Sequence, residues 1–190
     1  QKKFVEDYDN LPATVPIYGL AEGKDARGGS NVAGNPVRNL AINPDGYTYH
    51  LRSYPRATSN SHYRYRPEFS PNHAIDGRRT ADEYWRPARR TDLWLMVEFG
   101  REVETDRVVI VLHQNGGQEK TWSGAALEFS SGQKLAIELR NTSEPQEFRF
   151  PKQKCAWVKL ADLREPFPLS DNGIVAFEVV GKDAGPLTAE

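Results

Sequence analysis

The clearest pattern in the chain runs from Leu93 to Leu112. Leu93, Leu95, Val97 and Phe99 alternate with Trp94, Met96 and Glu98, the two-residue period of a strand with one buried face. Gly100 closes that run. Arg107 to Leu112 is almost wholly apolar and β-branched, as a strand crossing the centre of a core should be. Two adjacent core strands are therefore expected. A charged, aromatic loop (Arg78 to Asp92) precedes them and a polar loop (His113 to Ser123) follows. A rigid sheet that presents loops at its ends is suited to binding.

The rest of the chain reads in the same way. Tyr47 to Leu51 and Arg56 to Ser59 are weak strands, the second with Ala57 and Ser59 on one side. Ala125 to Phe129 and Lys134 to Arg140 form a hairpin across Ser130-Ser131-Gly132-Gln133. Phe148 and Phe150 mark one further strand, and Ala156, Val158 and Leu160 mark another. The last runs from Ile174 to Val180, with Val175, Phe177 and Val179 on one face. Residues expected inside are Val97, Phe99, Val109, Val111, Leu135, Ile137, Val158, Leu160, Phe177 and Val179. Ser61 to Pro67 interleaves His62, Tyr63 and Tyr65 with Arg64 and Arg66; it reads either as an alternating strand with a basic face or as a ligand-facing loop. Short strands separated by turns, without an amphipathic helix of three turns, predict an all-β antiparallel sandwich. It spans 39–182. Residues 1–38 hold Leu11-Pro12, Gly28-Gly29-Ser30 and Asn35-Pro36 and read as an extended lead-in, and 183–190 as a tail.

Composition narrows the function. A hydrophobic content of 38% in 190 residues is enough for one sandwich core. The net charge of -1 offers no bulk attraction to nucleic acid. No apolar run approaches the roughly 20 residues of a membrane helix, so membrane insertion is not expected. Met96 is the only methionine and the chain begins Gln1-Lys2-Lys3, as expected of a processed export product or an excised domain. Cys155 has no internal disulfide partner and is expected to be a small buried group. HExxH, CxxC, GxSxG and EF-hand patterns are absent, and His50, His62, His73 and His113 lack metal-ligand spacing. The chain is thus expected not to be an enzyme.

Several phrases, in order, resemble the coagulation factor 5/8 type C (discoidin-like) family. They are Asn39-Leu40-Ala41, Tyr54-Pro55-Arg56-Ala57-Thr58-Ser59, Asn72-His73-Ala74-Ile75-Asp76-Gly77, Trp94-Leu95 with Val97-Glu98-Phe99-Gly100, Asp106-Arg107-Val108-Val109-Ile110, and Phe177-Glu178-Val179-Val180-Gly181. Bacterial members include carbohydrate-binding module family 32. The resemblance covers about 39–181. It implies an eight-stranded, galactose-binding-like jelly-roll sandwich with its binding loops at one end. It also implies a structural calcium ion at the Asp76-Gly77 turn, with Asn72, Asp76 and Thr80 as the residues nearby; oxygen ligands suit that ion. The family often has a glutamate where this chain has Ala176. Without calcium, Asp76 would simply stabilise its own turn. Animal members usually bracket the domain with a disulfide, and the single cysteine here matches a bacterial, exported form: secreted, periplasmic or on the cell surface.

The function so implied is non-catalytic glycan binding. A sugar shows apolar C–H faces and a ring of hydroxyls, so its site needs an aromatic platform beside planar polar side chains. The candidates are Tyr65 and Arg66 in the first loop, Arg90 in the second, His113, Asn115 and Trp122 in the third, and Phe167 in the last. Trp85 and Trp94 are expected in the core instead. The excess of arginine also suits an acidic polysaccharide. Expected partners are a glycan and other modules or proteins of a glycan-processing system. Two alternatives stay open. A protein-interaction or assembly domain would show an exposed apolar patch on a sheet face. A glycan-active enzyme would show a cleft with two facing carboxylates.

Overall fold

The alternation at Leu95 to Phe99 and the apolar run ending at Leu112 belong to one strand. In the computed structural model, which describes residues 36–43, 54–80, 82–88, 90–114, 121–164 and 172–185, the unit Gly34–Glu190 carries seven described strands. They are β1 (Arg38–Asn39), β2 (Arg56–Ser59), β3 (Leu95–Leu112), β4 (Gly124–Phe129), β5 (Lys134–Glu138), β6 (Gln146–Arg164) and β7 (Ile174–Gly185). Their order is β1-β7-β3-β6-β4-β5, with β2 also on β3, and all pairs are antiparallel. The expected hairpin is β4–β5, and β2 has Ala57 and Ser59 buried as expected. The expected strand at Tyr47 to Leu51 lies outside the described residues.

Two strands are much longer than their sequence signals. β3 joins both predicted core strands, and β6 joins the stretch at Phe148 and Phe150 to the one at Val158 and Leu160. They pair along their whole length, from Leu95 opposite Leu160 to Ile110 opposite Gln146. Both double back. The Trp85 indole donates to Ser59, which lies opposite Leu95, while its backbone bridges Ile174, which lies opposite Leu112. A single residue therefore spans the two ends of β3. The ends of β6 are linked through Gln146 to Arg140, Leu139 to Ser123, and Ser123 to Arg164. One layer is β2, the first half of β3, the second half of β6, β4 and β5. The other is β1, β7, the second half of β3 and the first half of β6. This is a β-sandwich closed at one end by its own bent strands.

The bend explains why Gly100 reads as a terminus. Its φ is 67°, a conformation costly for other residues, and a Cβ there would lie 2.4 Å from the Tyr54 ring. Register shifts follow between Glu98 and Val103 and between Thr105 and Arg107. Against β7 the shift after Thr105 is one residue, since Thr105 lies opposite Gly181 and Arg107 opposite Val180, and one extra residue inverts the faces beyond it. Hence Val108, Ile110 and Leu112 join the main core, whereas Val109 and Val111, expected inside, are buried on the other side. Val111 joins Val175, Ala176 and Tyr84 in a second cluster. Val175 likewise leaves the face of Phe177 and Val179, after a shift between Val111 and Leu112. Leu135 packs half-buried against the main core, and the remaining expected residues lie within it.

Cys155 is 2% exposed, and burial pushes its thiol up to about 12. The native protein is therefore expected to be inert to an aromatic disulfide reagent at neutral pH. In denaturant it should release one thiol equivalent. A full, fast reaction of the native state would contradict this placement.

Candidate functional site

Because β3 and β6 double back, many strand ends share one edge. The end of β2, both ends of β3, the start of β4, the end of β6 and the start of β7 meet there. Backbone bonds tie the loops together: Tyr63 N–H to Arg86 O (2.8 Å), Trp85 with Ile174 in both directions (2.9 Å each), His113 N–H to Gly173 O (2.9 Å) and Ser123 N–H to Arg164 O (2.8 Å).

An aromatic row lies along this edge. Tyr63 and Phe69 meet edge-on at 5.8 Å, Phe69 and Tyr84 at 5.4 Å, and Tyr84 stacks on His113 at 3.8 Å and 7°. Arginines ride over it. The Arg86 guanidinium is 4.2 Å from the Tyr63 ring centre and 5.1 Å from that of Phe69. Arg64 lies 5.1 Å from Tyr63, and Arg66 5.7 Å from Phe69. Such contacts hold a guanidinium by the ring's quadrupole and leave its N–H edges as donors.

The loop carrying these groups is built from 3-10 turns at Tyr63–Tyr65, Pro67–Phe69 and Pro71–Ile75. Prolines start the last two, where a missing N–H costs nothing. Ser61 to Pro67 is therefore a loop and not a strand. Arg64 and Tyr65 both adopt positive φ, 52° and 51°, a strained state costing of order 1–3 kcal/mol each. The His62 ring on Arg66 O, and Arg66 N–H on Tyr63 O, hold the turn. Tyr65 is left 82% exposed at its tip.

The remaining candidates divide. Arg66 pairs with Glu68 at 2.6 Å and stays half-exposed. Arg90 bonds both oxygens of Asp92 (2.7 and 2.6 Å) and Asn60 O (3.3 Å), apart from the aromatic row. The Arg90 bonds hold the Asp92 carboxyl below its usual range. His113 is at the edge, with its ring committed to Tyr84. Trp122 is a correction: it is 1% exposed and stacks on Trp85 at 6.1 Å, as core rather than platform. Its position just before β4 resembles that of a loop residue, but the chain turns it inward. Trp85 is core as expected, and Trp94 is half-buried. Asn115 and Phe167 lie outside the described residues. Phe69, Tyr84 and Arg86 complete the row. Of these, Tyr84 and Arg86 carry a sequence signal, as members of the charged, aromatic loop from Arg78 to Asp92.

At the Asp76-Gly77 turn, Asp76 Oδ1 accepts the Arg78 N–H at 2.7 Å. Asn72 Oδ1 receives the Ala57 N–H at 3.3 Å, and Thr80 is exposed. The groups that converge with Asp76 are His73 and Glu83. His73 departs from its sequence reading: three residues apart on a 3-10 turn, it and Asp76 eclipse.

Solved structures share this architecture. The lectin domain of lectinolysin, complexed with Lewis B antigen, matches with a TM-score of 0.58 at 15% identity, over 75% of this chain and 95% of that one. Chitosan-binding module 1 of a chitosanase/glucanase from Paenibacillus sp. IK-5 matches with 0.54 at 19%, over 76% and 99%. The family 32 carbohydrate-binding module of C. perfringens NanJ, complexed with galactose, matches with 0.52 at 12%, over 66% and 92%. At these identities the likeness establishes the fold, a galactose-binding-like β-sandwich. No family model matches the chain, and no curated protein does.

Proposed function

We propose that this chain is a non-catalytic carbohydrate-binding module of an exported bacterial protein. Glycan docks at the loop edge, on the exposed Tyr65 and the half-buried Tyr63 and Phe69, which the buried Tyr84 supports from below, with Arg64, Arg66 and Arg86 as hydrogen-bond donors. The observation that carries this reading is the 82% exposed Tyr65 on a strained turn beside guanidiniums stacked on rings. A sugar's C–H face packs on such a ring, and its hydroxyls accept from planar donors. The reading is supported by proteins of the same fold that bind Lewis B antigen, chitosan and galactose. Asn115 and Phe167 stay as ligand-binding candidates from the sequence. Other modules or proteins of a glycan-processing system are its proposed partners.

The test is a glycan array with the intact chain, followed by calorimetry on the hits. Binding to at least one glycan class is expected. If the ligand is a uronate polymer, its affinity must fall steeply between low and physiological salt, because exposed charge pairs are screened over about 8–10 Å. A neutral sugar should bind almost independently of salt. An array silent for neutral and acidic glycans alike would overturn the proposal.

A further inference from the structure

His73 sits in the turn Pro71–Ile75 and is 3% exposed in its side chain, and Asp76 is 2% exposed. His73 Nε2 lies 3.0 Å from the carbonyl oxygen of Pro67. A carbonyl only accepts, so Nε2 carries the hydrogen of that bond. Nδ1 then faces the acids, with Asp76 Oδ2 at 3.3 Å and Glu83 Oε2 at 3.7 Å. The ligating atoms of all three residues lie within 4.8 Å of one another.

The His73 nitrogen and the Asp76 carboxylate face each other in a buried place, where a positive charge between them is favourable; Glu83, 40% exposed, already meets Arg78. A proton on Nδ1 would draw a charge-assisted bond in to about 2.7–2.9 Å. The observed separations are longer. The His73–Asp76 separation of 3.3 Å matches the spacing of ligands around a tetrahedral ion, about 3.3–3.4 Å for bonds of about 2.0–2.1 Å, and Glu83, at 3.7 Å, has to close by a few tenths of an ångström. We propose that His73 Nδ1, Asp76 and Glu83 form a binding site for a divalent cation of the zinc class, with the fourth position open to water beside the partly exposed Glu83.

The donor set separates this ion from calcium, which takes oxygen ligands; imidazole suits zinc. The surroundings have the form that supports such ligands. Pro67 O orients the His73 ring, and the Arg78 N–H holds the second oxygen of Asp76 at 2.7 Å. The Arg78 guanidinium, 57% exposed, donates to the same Glu83 Oε2 at 2.9 Å, so this oxygen would keep one lone pair for Arg78 and offer the other to the ion. Pro67 belongs to the loop that presents Tyr65 and Arg66, so the ion would brace that loop against the turn.

The experiment uses the full chain after treatment with a chelator. Zinc at about a hundred times its Kd should raise the melting temperature by about 5–10 °C. Cobalt(II) should give the visible bands of a tetrahedral site, and zinc should displace it. Glu83→Gln removes one ligand at the surface side. It should weaken zinc by more than about tenfold while leaving the metal-free melting temperature nearly unchanged. Three results would overturn the proposal. Calcium, and not zinc, could raise the melting temperature. Zinc could bind Glu83→Gln as tightly as the parent chain, which assigns it to other histidines. Nitrogen-15 spectra could show His73 Nδ1 protonated with and without excess zinc, which makes the positive charge a proton.

Discussion

Trp85→Ala is expected to destabilise the sandwich by about 3–5 kcal/mol, the usual cost of emptying a large aromatic site in a core. Trp85 has no exposed surface. Its indole N–H donates to Ser59 Oγ at 3.2 Å and Ser61 O at 2.9 Å, and its backbone bonds Ile174 in both directions. Trp85 therefore clamps the two ends of β3, and its loss opens the edge that carries the candidate loops. Trp122→Ala should fall in the same range, because its ring stacks on Trp85. Urea titration would show both as lower midpoints with little change in slope. If Trp122→Ala kept full stability and lost only glycan binding, the ring would be a platform after all, and its buried placement would be wrong.

Tyr65→Ala and Arg66→Ala are expected to lower glycan affinity about tenfold or more and leave the melting temperature within a degree or so. A lost contact of about 1–3 kcal/mol corresponds to that range. Neither side chain supports the core: Tyr65 is 82% exposed, and Arg66 meets only Glu68 at the surface and the face of Phe69. Surface pairs of this kind contribute little to stability. Tyr65→Gly sharpens the test. Glycine accepts the 51° φ without strain, so the variant should be at least as stable as the parent and still bind weakly. Calorimetry with the best array ligand reads the affinity. Wild-type binding by all three variants would place the site elsewhere.

The period-two alternation determined the fold class, the β4–β5 hairpin and most of the core, because a strand's inside and outside are set by its own residues. Val97, Phe99, Val158, Leu160, Phe177 and Val179 are all core for that reason. The clustering of arginine with aromatic residues singled out the stretch at Tyr65 and Arg66 and left strand and loop both open. The tertiary structure alone decided the rest. Gly100 looks like a strand end, and whether a glycine stops a strand or bends it depends on what the next segment pairs with; here β6 and β7 carry the ladder past it. A one-residue register shift against β7 then turned Ile110 into the main core and Val111 into the second buried cluster, a change of face that no local pattern records. Trp122 is core because Trp85, far away in sequence, offers it a ring. His73 meets Glu83 because two loops close on each other. Local periodicity reports which side of a strand is apolar; the partner that covers a side chain comes from distant segments, and only the folded chain brings them together.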